Sequence, residues 1–206
     1  MVHIAKGNNK LGSAILNVSL PPVETCIKNV PCEEKCYARK LYRMYPNVRE
    51  NWDENLRMYR ESPGAYFGQI MARLSQGRKS PPYFRWHVAG EIVDDAYFER
   101  VVDVARNFPQ TRFLIYTRYP FERLVVNTGV PKNLSIVKSY WLGFDRPYDP
   151  EYPGFMVIAK DESTRFMDEL SADGMIHTVI PCKGSCQECH ACWHIKAGDL
   201  VTNHIH

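Results

Sequence analysis

A chain of 206 residues, 45% hydrophobic and 24% charged, has the composition of a soluble globular protein, long enough to bury roughly 70% of its unfolded surface as a single domain over 1–206. Twenty-six Lys and Arg against 23 Asp and Glu leave a net charge of +3, too small to mark a dedicated nucleic-acid binder. No apolar run approaches the roughly 20 residues that cross a bilayer, and Met1 to Gly12 holds no segment of signal-peptide type, so a cytoplasmic location with no membrane partner is expected.

The first predicted strand, Ser13 to Leu20, runs into the turn signal Pro21-Pro22 and then into three cysteines, Cys26, Cys32 and Cys36. Helical patterning follows over Glu33 to Met44, Arg49 to Tyr59 and Gly64 to Leu74, before the breaker Gly77 to Pro82. The stretch Arg39-Lys40-Leu41-Tyr42-Arg43 within it reads as the outer face of a helix. Tyr83 to Val88 is an aromatic-rich strand that ends at Ala89-Gly90-Glu91. Asp94 then caps a helix whose apolar face is Tyr97, Val101, Val104, Ala105 and Phe108.

The strand–helix unit repeats with the strand Arg112 to Thr117 and a short helix, Phe121 to Val126, behind Pro120. Leu134 to Val137, Phe155 to Ala159 and Met175 to Ile180 are further strands, with a helix over Ser163 to Leu170, and the tail Asn203 to His206 reads as frayed. About six strands, mostly separated by helices, predict an α/β fold with a parallel sheet or partial (β/α) barrel. In such folds chemistry gathers at the carboxyl ends of the strands, where both cysteine groups, Gly90-Glu91 and Thr117-Arg118 are expected to meet.

The seven cysteines fall in two clusters, and the 145 residues between Cys36 and Cys182 contain none. Buried structural cysteines scatter as small hydrophobes do, whereas ligands converge on one site. In a reducing compartment a metal centre explains them better than disulfides. The rear group, Cys182-x3-Cys186-x2-Cys189-x2-Cys192 in the loop 181–194, has the repeated two-residue spacing of cubane iron–sulfur ligation, with Gly184 permitting the turn. Zinc competes, held by four thiolates or by three with His190 or His194. Trp193 and His194 are candidates for shielding that centre. The front group of three leaves one iron of a cubane open to a small molecule, unless a histidine such as His3 or His87 completes a zinc site instead.

Strand alternation puts Arg85 and His87 on one face of their strand and Tyr116 and Arg118 on one face of theirs. Arg85 then either meets a ligand or cluster, or pairs with Glu91 or Asp94 at the rim. Arg118 is a candidate to neutralise a substrate carboxylate or a thiolate-bound cluster.

Several blocks in order resemble the phage gene product 88 family. They are Gly7-Asn8-Asn9-Lys10-Leu11-Gly12, Ser19-Leu20-Pro21, Thr25-Cys26, Cys36-Tyr37-Ala38, Arg85-x-His87 with Gly90-Glu91, Tyr116-Thr117-Arg118, and Cys186-x2-Cys189-x2-Cys192-Trp193. The family name implies no chemistry. More distantly, three cysteines after the first strand and Gly-Glu after the second resemble the radical S-adenosylmethionine enzymes. That resemblance implies a radical-enzyme partial barrel in which Cys26, Cys32 and Cys36 hold a [4Fe–4S] cluster and Gly90 and Glu91 meet the cofactor's ammonium. Arg118 would pair its carboxylate, while His87, Tyr37 and Tyr116 stand near cofactor or substrate. The spacing here is x5 and x3 where that superfamily has x3 and x2. Lys35 replaces the aromatic before the third cysteine, and Tyr37 follows it.

Three functions are expected to compete: a S-adenosylmethionine-dependent oxidoreductase or lyase fed by an electron donor such as a host ferredoxin or flavodoxin; a non-enzymatic iron–sulfur protein with separate or shared clusters; and a zinc-stabilised binding module.

Overall fold

The computed structural model describes residues 1–126, 129–142, 144, 148–158, 174 and 176–204. Eight strands make one sheet, β1 (Ile4–Lys6), β2 (Ile15–Val18), β3 (Tyr83–Trp86), β4 (Arg112–Thr117), β5 (Leu134–Trp141), β6 (Gly154–Ile158), β7 (Thr178–Pro181) and β8 (Asp199–His204). Their order across the sheet is β1-β2-β3-β4-β5-β6-β8-β7, with β1 antiparallel to β2 and every other pairing parallel. The parallel α/β expectation holds, with two more strands than expected. β1 hairpins onto β2, and β8, which includes part of the supposed frayed tail, inserts between β6 and β7.

Three helices, α1 (Tyr37–Met44), α2 (Pro46–Glu61) and α3 (Pro63–Leu74), carry the chain from β2 to β3, with prolines opening the second and third where an amide has no helical partner. The first helix starts four residues later than expected, because Pro31–Glu33 forms a single 3-10 turn and Cys36 becomes its N-cap residue. α4 (Asp95–Asn107) is capped as the sequence indicates, the Asp94 carboxylate accepting from the Tyr97 amide at 2.8 Å. The short helix α5 (Glu122–Val125) follows β4, and one turn, α6 (Cys186–Cys189), lies within the rear cysteine segment. The helix expected over Ser163 to Leu170 lies outside the described residues. Among those described, no helix is long and apolar enough to cross a membrane.

Strand alternation sends Leu16, Val18, Phe84, Trp86, Phe113, Ile115 and Ile136 to one face, where they pack with Leu56, Tyr66, Phe67, Ile70, Tyr97, Phe98 and Val101 of α2, α3 and α4. The other face carries Ile15, Leu114, Val137 and Val201, and among the described residues no helix longer than a turn packs on them. Trp193 and Ile195, from the chain just after α6, close over it instead. The rear cysteines therefore lie against the body of the sheet and not only beyond its rim.

Candidate metal centre

The front loop leaves β2 and is stitched to the end of β3. The Leu20 amide donates to the Ala89 carbonyl at 3.0 Å, and Thr25 Oγ1 donates to the Pro21 carbonyl at 3.0 Å while accepting from the Glu91 amide at the same distance. Gly90 makes this approach possible. Its φ is +85°, and a Cβ there would stand 2.7 Å from Leu20 Cβ and 2.9 Å from Thr25 Oγ1. Cys26 follows Thr25 directly. Its thiol pKa is pushed up to about 11, first by burial, with Glu91, Cys36 and Cys32 adding repulsion against a backbone hydrogen bond from Val23. The front three thiols and Glu91 thus share one neighbourhood.

Glu91 does not present its carboxylate to open space. The residue is 8% exposed; Oε1 accepts from Thr117 Oγ1 at 2.6 Å and from the Ile92 amide at 2.9 Å, and Oε2 accepts from the Arg118 amide at 2.9 Å. A carboxylate has about four acceptor sites. Three are taken by the ends of β3 and β4, so the Gly-Glu pair acts here as a buckle between the front loop and two strand ends. Burial pushes the Glu91 pKa up, and these three donors work against that shift. The Arg118 side chain adds a further favourable charge to Glu91.

His87 departs from the expected face. β3 ends at Trp86, and a φ of +53° at His87 turns the side chain to the helix-covered side, where its ring lies 5.3 Å from Tyr97 and Nε2 shares a 2.8 Å hydrogen bond with the Tyr97 hydroxyl. It is 4% exposed, and burial followed by the Arg85 charge brings its pKa down to about 3. Alternation fails because it holds only while the backbone stays extended.

Arg85 stays on the other face with Tyr116, its guanidinium 4.9 Å from that ring's centroid. It pairs with neither Glu91, which is engaged as above, nor Asp94, which caps α4 and accepts from the Tyr59 hydroxyl at 2.6 Å. Arg85 Nε is buried with no hydrogen-bond partner.

The rear segment is fixed at several points. The Cys182 amide donates to the Thr202 carbonyl at 2.9 Å and the Cys186 amide to the Lys10 carbonyl at 2.7 Å. The His190 ring stacks on Tyr83 with centroids 4.3 Å apart, and buried Trp193 donates from Nε1 to the Phe84 carbonyl at 3.2 Å. Gly12 admits α6, since a Cβ there would stand 2.4 Å from Gln187 Cβ. His194 is exposed, and His3 is exposed near Asn55, whose side chain its backbone meets. Burial raises the Cys186 thiol pKa, with Cys182 and Cys189 adding to it and Arg85 and Lys10 opposing. Burial likewise raises Cys192, against a hydrogen bond donated by the Tyr116 hydroxyl and against the Arg85 charge.

Tyr37 joins the two groups. The residue is 59% exposed, but its hydroxyl turns inward and donates to the Val88 carbonyl at 2.5 Å. There the Arg85 charge opposes the burial that raises its pKa, while Cys36, Cys26 and Cys186 act on it together. Thiols from both ends of the chain thus add to the electrostatic surroundings of one hydroxyl. All seven are free. Among the described residues, no three His, Cys, Asp or Glu side chains are grouped closely enough to hold a single metal ion.

Fold and site together define an α/β protein with two cysteine-rich segments, one tied to the end of β3 and the other packed against a face of the mostly parallel sheet. The chain matches the family described as gene product 88 over residues 3–195, nearly its whole length, and belongs to that family. No curated protein and no solved structure matches it.

Proposed function

We propose that this chain is an iron–sulfur protein, with Cys26, Cys32 and Cys36 holding one cluster and Cys182, Cys186, Cys189 and Cys192 a second, both of the [4Fe–4S] kind. The observation that carries the reading is that all seven cysteines are free and fall in two short segments, the rear one packed against the sheet through Cys182, Cys186 and Cys192. Seven free thiols on two short segments are a donor set for soft metal, and the repeated two-residue spacing of the rear group suits a polynuclear cluster bound through separate irons. Such clusters supply one-electron chemistry when bound. The chain's own residues supply the surroundings: Tyr116 donates to the Cys192 sulfur, Trp193 shields the rear segment from below, and the Gly90-Glu91 buckle holds the front loop. We read the sheet as a partial barrel whose inner face carries Arg85 and Tyr116. The partner this reading needs is an electron donor of the ferredoxin or flavodoxin type, in a reducing cytoplasm where free thiols persist.

A second reading, S-adenosylmethionine-dependent catalysis, is favoured by one observation: the front group offers three thiols, leaving an iron without a protein ligand. Glu91 speaks for the first reading, because the carboxylate that would meet the cofactor's ammonium is already bound by Thr117 and two amides.

The test is iron, acid-labile sulfide and zinc per chain after strictly anaerobic purification. About eight iron and eight sulfide are expected, and about four of each would mean that one group alone is loaded. Zinc without sulfide would overturn the proposal. Adding S-adenosylmethionine to the reduced protein separates the two readings, since only the second expects the spectrum of the front cluster to change.

A further inference from the structure

We infer that Arg85 is the shared positive charge of the two cysteine groups, a positioning residue whose work is to set the reduction potential of the centre they hold. This rests on the iron–sulfur reading above.

Arg85 lies mid-strand on β3, in register with Asn17 of β2 on one side and Leu114 of β4 on the other. That is an interior position of the sheet, reached by a long cation whose Nε is buried without a partner. Arg85 is half-buried, and a cation drawn even partly out of water is costly unless something of opposite sign or a hydrogen bond offsets it. Among the described residues no carboxylate forms an ion pair with it. The carboxylates nearest in sequence, Glu91 and Asp94, have their oxygens committed elsewhere. Among the described residues its guanidinium lies over the face of Tyr116, 4.9 Å from the ring centroid, and a tyrosine ring offers only a quadrupole.

The groups that do feel Arg85 are thiols and phenols. Cys186 and Cys192 of the rear group pack in one cluster with Tyr83 and with Tyr116, the ring that Arg85 covers, and the Arg85 charge bears on both thiols and on the Tyr37 hydroxyl. A thiolate-ligated cluster is anionic, and reduction adds one more negative charge, which a nearby fixed cation favours. A purely structural residue at this place needs only to cover the Tyr116 ring, and a neutral side chain would do that at lower desolvation cost.

The experiment compares wild type, Arg85→Gln and Arg85→Lys, purified anaerobically, by metal content, circular dichroism and a redox titration followed by electron paramagnetic resonance. With iron retained, Arg85→Gln should lower the reduced-to-oxidised ratio about tenfold at fixed poise, a midpoint shift of about 59 mV to more negative values. Arg85→Lys should keep most of the wild-type potential. Loss of iron in the Gln variant with retention in the Lys variant also supports the inference, since charge and not shape then decides. Wild-type iron at the wild-type potential in Arg85→Gln overturns it, as does equal loss of iron from both variants. A wild-type chain without iron overturns the cluster reading itself, and this is seen before any variant is compared.

Discussion

His87 sits 4% exposed, its Nε2 bonded to Tyr97 and its Nδ1 without a partner, so a second proton on the ring has no counter-charge to meet. Its folded pKa of about 3 lies below the ordinary 6.5. A depressed folded pKa contributes stability that is present above 6.5 and lost as pH falls toward 3, at about 1.4 kcal/mol per pH unit, because the unfolded chain takes up the proton first. Replacing His87 by Gln, which keeps a polar group for Tyr97, should flatten the acid limb over that window. Denaturant unfolding at pH 7, 5 and 4 checks this, and an unchanged slope would show that His87 is not the responsible group. The same residue marks how far sequence reading reaches. Its strand was legible, yet its face was not, because the turn to φ +53° depends on how Val18 and Ser19 hold the end of β3. Glu91 is similar: Gly90-Glu91 stands out in the sequence, but the partners that occupy its carboxylate, Thr117 and the Arg118 amide, lie 26 and 27 residues away.

At the scale of elements, the rear segment was readable as a cysteine loop and unreadable as a packed layer. Its spacing announces ligands. Nothing local shows that Trp193 and Ile195 close one face of the sheet, since that requires β8 to insert between β6 and β7. Asp199–His204 escaped notice because Leu200 and Val201 are its only apolar residues; long-range pairing with both neighbours makes it a strand. Trp193 is the anchor of this layer, 2% exposed, packed edge-on to Tyr83 with centroids 5.5 Å apart, and donating to the Phe84 carbonyl. Trp193→Ala should cost about 3–5 kcal/mol, as truncation of a buried aromatic does. The denaturant midpoint should fall accordingly, and the anaerobically purified variant should lose the iron of the rear group before that of the front. Trp193→Phe, which keeps the ring and loses only the N–H donor, should retain that iron. Equal iron in wild type and Trp193→Ala would mean that the cysteine segment holds its place without the anchor.

The whole molecule joins two ends of a chain. Parallel βα topology places the carboxyl ends of β2 to β8 on one side, so the loops after β2, β3 and β4 meet there, and this convergence is legible in the sequence. The rear group reaches the same place by another route, lying back against the face that carries Tyr83, Arg85, Leu114 and Tyr116, with its first amides tied to Thr202 and Lys10. The front loop tied to the end of β3 and the rear cysteines packed beside Tyr83 and Tyr116 of β3 and β4 thereby come to neighbouring strands, although 145 cysteine-free residues separate them in sequence. If both groups hold clusters, this proximity has a magnetic consequence. Two paramagnetic centres on either side of a single side chain interact, so the electron paramagnetic resonance signal of the fully reduced protein should be broadened or split beyond the sum of two isolated clusters. Removing the front site by Cys26→Ser with Cys32→Ser should halve the iron and leave a simple, unsplit rear signal; removing the rear site by Cys186→Ser with Cys189→Ser should leave a simple front one. Tyr37→Phe, which loses the bond to Val88 but no ligand, should keep both the iron and the splitting. Additive signals in the fully loaded wild type would place the two clusters too far apart for this geometry and leave them as independent centres on a common sheet.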